Sequence, residues 1–350
     1  METLKFCIAT HSLYKGNGVD VSVADFAKEL AKNHEVKIFV ARHDMHIPDI
    51  EISQYRVRYP WNMRDVAKEM ERQKFDYIST HSPPMDIVAS MTGIPHLLHD
   101  PGVIQASLVR NFPDMYNWAV VNTTRMISAR KAWIVLPVSN YMATEFRRKY
   151  FYHGRIEVLH HGIEFPSREP EPLENKFGRY ILYIGVHRPY KGVHELMEIF
   201  GEVKKELGND VHLVTIGKKD DPGYYDKLKA LADKIGNIHM LGYVPDVWAY
   251  YAGATVYANC SRWEGEDRPV LEAQYMGKPA VTYNNCSHPE VVFYGSLANN
   301  KKEFKEALIR HLSEARTNMS VRHRVVEEFS TPSMARRFIE IIKSQCHIYA

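Results

Sequence analysis

Residues Ser261 to Thr282 read SRWEGEDRPVLEAQYMGKPAVT. The pattern predicts the end of a strand, a glycine-containing loop, a helix and the start of the next strand. Pro269 suits the first helical position, because its fixed φ is already helical and its missing N–H is not needed there. The N-terminus of such a helix is positively polarised and offers N–H groups to a phosphate.

Two glutamates, Glu264 and Glu272, stand eight residues apart in this stretch. A carboxylate would repel a phosphate, but it accepts hydrogen bonds well from neighbouring hydroxyls. Carboxylates beside a predicted phosphate site therefore indicate a ligand that carries both phosphate and hydroxyl groups. A nucleotide-sugar is such a ligand.

The composition limits the class of protein. The chain has 350 residues, of which 45% are hydrophobic and 25% charged, so two packed domains are expected. The net charge of +3 is too small to indicate a nucleic-acid partner. No apolar run is long enough to span a membrane, and the N-terminus lacks a signal-peptide pattern. The four scattered cysteines favour a reducing, cytoplasmic compartment.

The first half alternates strands and helices, starting with a predicted strand at Leu4–Thr10, the loop HSLYKGNG and a helix. This order begins a doubly wound sheet, in which ligands gather at the carboxyl ends of the strands. Gly16 and Gly18 would let a ligand approach the backbone closely. His99 is predicted at such a strand end, as is His81. Residues 41–60 are predicted to be irregular, and residues 156–159 are predicted to form a strand.

A proline-rich segment, FPSREPEPLENKFG at residues 165–178, reads as a linker. After it the pattern restarts with a predicted strand at Arg179–Ile184, the loop GVHRPYKG and another helix. We therefore expect an α/β architecture of two Rossmann-like domains that face each other across a cleft. The predicted domains are residues 1–165 and 166–328, followed by a C-terminal helix within 329–350.

Two cations, Arg188 and Lys191, lie in the loop that follows the strand at Arg179–Ile184. A diphosphate leaving group needs positive charge as its bond breaks, which arginine supplies as a fork and lysine as a point charge. Asp220 and Asp221 precede Pro-Gly and are typical of a turn rather than of a metal site. The sequence therefore favours a reaction without a metal or other cofactor.

Several segments together resemble the retaining glycosyltransferases with the GT-B fold, specifically glycosyltransferase family 4. The resemblance covers nearly the whole chain and is stronger in the second half. The segments in that half are ILYIGVHRPYKG (181–192), IHMLGYV (238–244), EGEDRPVLEA (264–273) and GKPAV (277–281). Those in the first half are KGNG (15–18), GIPHLLHD (93–100), PVSN (137–140) and HHGI (160–163).

The resemblance implies roles for individual residues. Glu264 would hold the hydroxyls of the donor sugar, and Glu272 would hold those of the ribose. His99 would help to position donor and acceptor at the reactive face of the sugar, so His99 and Glu264 are the predicted catalytic residues. The final helix would return to the first domain. The implied donor-binding residues are Gly16, Gly18, Arg188, Lys191, Glu264, Gly265, Asp267, Arg268 and Glu272, and Gly217, Tyr243 and Val244 would flank the base.

The chain departs from the family pattern in the loop after the first glutamate. The family usually has Gly-Phe-Gly-Leu-Pro there, whereas this chain has Gly265-Glu266-Asp267-Arg268-Pro269. The family also often has arginine directly after the glycine of the phosphate loop, where this chain has Val186. The choice of sugar is therefore expected to depend on residues 266–268.

The predicted function is metal-independent transfer of a sugar from a nucleotide-diphosphate sugar to an acceptor hydroxyl, with retention. Two alternatives remain at this point: a sugar-nucleotide epimerase of the same fold, and a nucleotide-binding protein without turnover. The acceptor, which would bind residues 41–62 and 103–131, is a glycan, a lipid carrier or a small molecule. The basic and aromatic content of residues 103–151 leaves open a peripheral contact with a membrane surface.

Overall fold

The computed structural model describes residues 3–15, 17–57, 61–102, 109, 112–172 and 176–346, with side chains undescribed at 112–114, 117, 345 and 346. The chain divides into two compact units. Unit 1 comprises Met1–Glu164 and Phe329–Ala350, and unit 2 comprises Phe165–Glu328. Among the described residues, no helix combines the length and the apolar character that crossing a bilayer requires.

Unit 1 is built on one sheet of parallel strands in the order β3-β2-β1-β4-β5-β6. Helices alternate with the strands along the chain. The elements are β1 (Lys5–Leu13), α1 (Gly18–Ala31), β2 (Glu35–His43), β3 (Glu51–Gln54), α2 (Met63–Arg72), β4 (Tyr77–Thr80), α3 (Met85–Ala89), β5 (His96–Asp100), α4 (Phe112–Lys131), β6 (Ile134–Pro137) and α5 (Asn140–Tyr150).

Two expectations for unit 1 were wrong. Residues 41–60 are not irregular throughout, because they contain β3, an edge strand of four residues that pairs in parallel with β2. Residues 156–159 do not form a strand, since Ile156 makes only an isolated bridge to Val135 at the edge of β6. Ser139 caps α5, because its Oγ accepts a hydrogen bond from Met142 N at 3.1 Å.

Unit 2 has a second sheet of parallel strands, in the order β12-β11-β10-β7-β8-β9. Its elements are β7 (Arg179–Ile184), α6 (Val193–Leu207), β8 (Val211–Ile216), α7 (Pro222–Ile235), β9 (Ile238–Gly242), α8 (Trp248–Gly253), β10 (Val256–Asn259), α9 (Arg268–Tyr275), β11 (Ala280–Tyr283), α10 (His288–Val291), β12 (Gly295–Ala298), α11 (Lys301–Glu314) and α12 (Val321–Phe329).

The last helix, α13 (Thr331–Cys346), belongs to unit 1. Its apolar residues Met334, Phe338, Ile341 and Ile342 recur on one face and are buried in the core around β1 and α1. The Phe338 ring lies 5.0 Å from the ring of Phe26 on α1. The predicted return of the final helix to the first half of the chain is therefore observed within unit 1.

In each sheet the sequence order of the strands reverses its direction at one point. In unit 1 this point lies between β1 and β4, and in unit 2 it lies between β7 and β10. Each sheet thus has the Rossmann order, with its first and fourth strands adjacent. Ligands of open α/β sheets bind outside the carboxyl ends of the strands at such a switch point. The fold therefore directs attention to the loops after β1, β4, β7 and β10.

Candidate active site

The loops after β7 and β10 are in direct contact at the switch point of unit 2. Arg262 N donates to Tyr190 O at 2.9 Å. Gly192 has a φ of +67°, and a Cβ at that position would lie 2.2 Å from Cys260 O. Only glycine tolerates both the left-handed backbone and this close approach. The glycine therefore allows the two loops to meet.

Lys191 and Glu264 form an ion pair where these loops meet. Lys191 Nζ lies 2.7 Å from both Glu264 Oε1 and Oε2, and both side chains are largely buried. Burial lowers the pKa of Lys191, but Glu264, Tyr190 and Asp267 together raise it by more, so the net pKa is above its ordinary value. The site therefore holds a charged lysine against a glutamate at the carboxyl edge of the sheet.

A buried polar network lies behind Glu264. Asn259 Nδ2 donates to Glu264 Oε1 at 3.1 Å and to Asp267 Oδ2 at 2.7 Å. His288 Nε2 lies 3.1 Å from the same Asp267 oxygen, and Asp267 is only 2% exposed. Asp267 was predicted as a donor-binding residue, but Asn259 and His288 were not predicted at all. The sequence holds no signal for them, because His288 reaches Asp267 only through the tertiary fold.

The second glutamate of the motif lies on α9. Glu272 Oε2 accepts a hydrogen bond from the hydroxyl of buried Tyr251 at 2.7 Å. Pro269 occupies the first turn of this helix, as predicted. Asp267 precedes the helix, but its side chain makes no capping hydrogen bond in the described structure. Backbone carbonyls accept from this turn instead, since Arg268 N donates to Glu266 O at 3.1 Å and Val270 N donates to Asp267 O at 3.1 Å.

The predicted diphosphate ligand Arg188 follows β7. Its Nε donates to Asp220 Oδ2, and both side chains are substantially exposed. Such an exposed pair is weak, so a ligand could compete with it for the guanidinium. Asp221 Oδ1 accepts from Tyr224 N at 3.0 Å and caps α7, in agreement with the interpretation of the Asp220-Asp221 pair as turn chemistry.

The residues predicted to flank the base follow β8 and β9. Gly217 N donates to Gly242 O at 2.8 Å, and a Cβ on Gly217 would lie 1.8 Å from Gly185 O. Tyr243 is exposed, with the Lys218 ammonium 5.1 Å from its ring centroid. Val244 follows it in the chain. Because the strands are parallel, these residues lie at the same edge of the sheet as Lys191.

In unit 1 the predicted catalytic residue His99 lies on β5 and is 1% exposed. Its ring stacks on that of His81 with a centroid distance of 4.0 Å. Burial lowers the pKa of His81 to about 3 and lowers that of His99 well below its usual value, so both rings are neutral. His99 packs against Phe26 and Phe338, which fix its ring within unit 1.

A serine hydroxyl joins the two histidines. Ser79 Oγ lies 2.9 Å from His99 Nε2 and 3.0 Å from His81 Nε2. The hydroxyl has a single proton, and the two rings are the partners described for its Oγ, so this proton is satisfied only when the hydroxyl donates to one ring and accepts from the other. The two neutral rings therefore carry their protons on different nitrogens, and the tautomer of His99 is linked to that of His81.

Two predicted features of unit 1 are only partly described. Gly16 lies outside the described residues, while Gly18 begins α1 after Asn17, whose side chain accepts from Val19 N at 3.2 Å. Of the predicted acceptor region, residues 58–60, 103–108, 110 and 111 lie outside the described residues. Within the described part of the chain, no group of three His, Cys, Asp or Glu side chains is arranged to hold a metal ion.

Comparison with known families assigns both halves of the chain. Residues 166–328 match the family Glycosyl transferases group 1, and residues 16–165 match Glycosyltransferase Family 4. The chain therefore belongs to the group 1 and family 4 glycosyltransferases, which confirms the resemblance inferred from the motifs. Both matches together span the described switch-point loops of unit 2 and the β5 segment that contains His99.

Two curated relatives are glycosyltransferases by name. The chain is 31% identical over 181 residues to the O-antigen chain mannosyltransferase B of Escherichia coli, a match that covers 47% of each chain. It is 26% identical over 226 residues to the D-rhamnosyltransferase WbpZ of Pseudomonas aeruginosa, covering 59% of this chain and 55% of that one. The chain thus spans about half the length of the curated relatives it matches.

Solved structures establish the fold. Anabaena HepE in complex with UDP and glucose superposes with a TM-score of 0.78 at 15% identity, covering 97% of this chain and 100% of that one. The lipopolysaccharide outer core galactosyltransferase WaaB superposes with a TM-score of 0.73 at 14% identity, covering 98% and 100%. The predicted two-domain, Rossmann-like GT-B fold is therefore confirmed.

Proposed function

We propose that this protein transfers a sugar from a nucleotide-diphosphate sugar to an acceptor hydroxyl. The observation that carries the proposal is the contact between Lys191 and Glu264 at the switch point of unit 2. A lysine favours phosphate oxygens and a carboxylate favours hydroxyls. Because the two groups touch, a ligand that satisfies both must carry hydroxyls within a few ångströms of a phosphate. The sugar diphosphate part of a nucleotide-sugar has this arrangement.

The relatives support a hexose donor. Two of them are named for the transfer of mannose and of D-rhamnose, and HepE was solved with UDP and glucose. We therefore propose a hexosyl donor carried by UDP or GDP. The predicted base-flanking residues Gly217, Tyr243 and Val244, and the predicted ribose ligand Glu272, are the part of unit 2 that would select the nucleotide.

We propose that the reaction retains the configuration of the sugar. The bond between the anomeric carbon and the phosphate oxygen breaks, and the acceptor oxygen bonds to that carbon on the same face. The acceptor proton passes to the leaving phosphate, which yields a nucleoside diphosphate and a glycoside. Glu264 would hold the sugar while His99 would position the reacting groups. The configuration of the product, measured from the NMR coupling constant at the anomeric centre, tests this step.

Metal independence belongs to the same proposal. Lys191 and Arg188 supply positive charge in the loop after β7, which can neutralise the leaving diphosphate without a divalent cation. Turnover in excess EDTA should therefore match turnover in buffer with magnesium. Activity that disappears with EDTA and returns with magnesium would contradict this part of the proposal.

We further propose a glycan acceptor, in keeping with the O-antigen chain named for the first relative. A peripheral membrane contact is proposed on the exposed side chains of unit 1, which include Trp61, Tyr116 and Phe151, with Arg148 nearby on α5. Anionic vesicles in low salt should then retain the protein, and raised salt should release it. No retention at low salt would remove the membrane proposal without affecting sugar transfer.

The test of sugar transfer uses purified protein and a panel of UDP- and GDP-hexoses. Wild-type protein should release nucleoside diphosphate from one donor, slowly with water alone and faster with a glycan acceptor. Glu264→Gln should lose this turnover while still binding the nucleoside diphosphate. The proposal fails if both results are found: no donor reacts, and Glu264→Gln binds every nucleotide-sugar as tightly as wild type does.

A further inference from the structure

Asp267 occupies the position before α9, but its side chain does not cap that helix. An aspartate there normally accepts a hydrogen bond from an N–H in the first helical turn. Instead, Asp267 Oδ2 accepts from Asn259 Nδ2 at 2.7 Å and lies 3.1 Å from His288 Nε2. Its carboxylate is therefore directed into the interior of unit 2, although the segment containing it was expected to contact the sugar.

The orientation of the Asn259 amide is determined by a backbone group. Asn259 Oδ1 accepts from Ser261 N at 2.9 Å, and a backbone N–H can only donate. The amide nitrogen must then face the two carboxylates, with one hydrogen for Glu264 Oε1 and one for Asp267 Oδ2. Asn259 thus connects the two carboxylates rigidly, and movement of one displaces the other.

His288 can donate to acceptors on both sides of its ring only as a cation. Its Nδ1 lies 3.0 Å from Tyr283 O, which can only accept, and 2.9 Å from Asn285 Oδ1, while its Nε2 lies 3.1 Å from the Asp267 carboxylate. Both ring nitrogens therefore donate, which requires the imidazolium form. Burial alone would lower the pKa of His288, but Asp267 and the neighbouring Cys286 thiol raise it to about 10.

The charges of the network then balance. Lys191 and His288 contribute two positive charges, and Glu264 and Asp267 contribute two negative charges. A buried carboxylate without a partner is costly, so loss of the His288 charge would destabilise Asp267 and disturb Asn259.

Acceptor positions on Glu264 are limited by these contacts. A carboxylate offers roughly four lone-pair positions. In the described structure Lys191 uses one on each oxygen, and Asn259 uses a second on Oε1. While Lys191 holds both oxygens, the position that remains is on Oε2, where a sugar hydroxyl can donate. The direction in which that position points depends on how Asn259 holds Oε1.

We propose that His288 is a positioning residue whose buried ion pair with Asp267 orients the Glu264 carboxylate through Asn259 and thereby selects the donor sugar. The inference rests on the proposed function for the assignment of Glu264 to the sugar. It assigns Asp267 an indirect role, through Asn259, rather than direct contact with the donor.

The first test needs no ligand. The melting temperatures of Glu264→Gln, His288→Gln and the double variant form a double-mutant cycle, because residues in one hydrogen-bond network couple whereas distant ones add. The double variant should lose clearly less than the sum of the two single losses. The control cycle combines Glu264→Gln with His311→Gln instead. His311 bonds Ser296 in another part of unit 2, so the losses in this cycle should be additive. Additive losses in the His288 cycle would overturn the proposal.

The second test separates the contribution of the sugar to binding from that of the nucleotide. Affinities of wild type and His288→Gln are compared for UDP against UDP-glucose and for GDP against GDP-mannose. His288→Gln should weaken the binding of the accepted nucleotide-sugar about tenfold, the equivalent of one well-placed hydrogen bond, and leave that of the free diphosphate nearly unchanged. Asp267→Asn combined with His288→Gln should recover part of the loss, since no buried charge is then left unpaired.

The outcomes distinguish the two proposals. Equal weakening of the diphosphate and its sugar conjugate by His288→Gln would mean that the network only supports the fold, and the inference would be wrong. If wild type neither binds nor turns over any nucleotide-sugar of the panel, the proposed function fails. In that case the coupling of His288 to Glu264 in the first test still decides whether the network exists as described.

Discussion

At the scale of single residues, the pairing of Lys191 with Glu264 makes the affinity for a ligand depend on the charges that the ligand carries. Each group is largely buried, so removal of one leaves the other uncompensated at a cost of about 3–5 kcal/mol. A ligand that takes over one partner must supply an equivalent group. The phosphate and the hydroxyls of a nucleotide-sugar would supply both, and that exchange accounts for two opposite charges within one ligand site.

Replacement of Lys191 should separate phosphate binding from nucleoside binding. Lys191→Gln removes a charge-assisted contact, so binding of the nucleoside diphosphate should weaken about 10- to 100-fold while binding of the nucleoside changes little. Calorimetry with the two ligands measures the difference. A matched control is Lys219→Gln, because Lys219 forms an exposed pair with Asp226 at 3.1 Å. Equal losses for nucleoside and diphosphate in Lys191→Gln would contradict the assigned role.

The charge on His288 should make stability depend on pH. Its pKa is raised to about 10 in the folded protein from an ordinary value of 6.5. A group whose pKa is higher in the folded protein contributes its full stabilisation at pH values below its unfolded pKa. That stabilisation is lost as the pH rises through the folded pKa. The melting temperature of wild type should therefore fall between pH 7 and 10 by more than that of His288→Gln. Parallel curves for the two proteins would show that His288 is neutral at pH 7.

Replacement of Ser79 should alter His99 without removing it. In Ser79→Ala the tautomers of His81 and His99 are no longer linked, so ¹⁵N shifts of the two rings should move toward a mixture. Turnover should drop about tenfold, with little change in diphosphate affinity, as for loss of one hydrogen bond. Ser90→Ala is the control, since Ser90 is a buried serine of unit 1 that bonds Ile87 O. Unchanged ¹⁵N shifts of the two rings in Ser79→Ala would contradict the proposed link between the tautomers of His81 and His99.

The sequence was informative for some of these residues and silent for others. Lys191 and Glu264 could be named as candidate site residues because each lies in a loop after a strand and belongs to a recurrent motif, and their role stays a prediction. Asn259 and His288 could not, because a polar residue gains its role only from partners that the tertiary fold supplies. The contact between His81 and His99 is of the same kind, since it requires β4 and β5 to be neighbours.

At the scale of elements, the loop before α6 depends on one glycine. Gly192→Ala would combine a left-handed φ, which costs about 1–2 kcal/mol for other residues, with a clash against Cys260 O. The loops after β7 and β10 should separate, with loss of both thermal stability and diphosphate binding. Gly223→Ala in α7 is the control, because that position has room for a methyl group and should be neutral or slightly stabilising. Normal diphosphate binding in Gly192→Ala would show that loop contact is not needed.

Elements were predicted best where their residues repeat with a clear period. The helix Val193–Leu207 has regularly spaced apolar residues, and a helix was predicted directly after the loop GVHRPYKG. The strand β3 was missed because it has four residues of mixed polarity, with the sequence EISQ, and lies at the edge of the sheet. Its pairing with β2 depends on the register of that neighbour, which a short sequence window does not contain.

At the scale of the whole molecule, the two units have separate cores that can be weakened one at a time. Phe338→Ala should cost about 3–5 kcal/mol in unit 1, because the fully buried ring contacts Phe6, Phe26 and His99. Phe304→Ala on α11 is the matching change in unit 2. Hydrogen exchange should show faster opening only in the unit that carries the change. Equal acceleration in both units would mean that they unfold as one.

The position of α13 has a consequence for the order in which the protein is made. Domains commonly fold from the N-terminus during synthesis. Here the helix that covers β1 and α1 follows all of unit 2 in the chain. On the ribosome, unit 2 can complete its core while unit 1 still exposes the apolar surface that Phe338 will cover. We therefore expect unit 1 to be the later folding unit and the one that chaperones bind in the nascent chain.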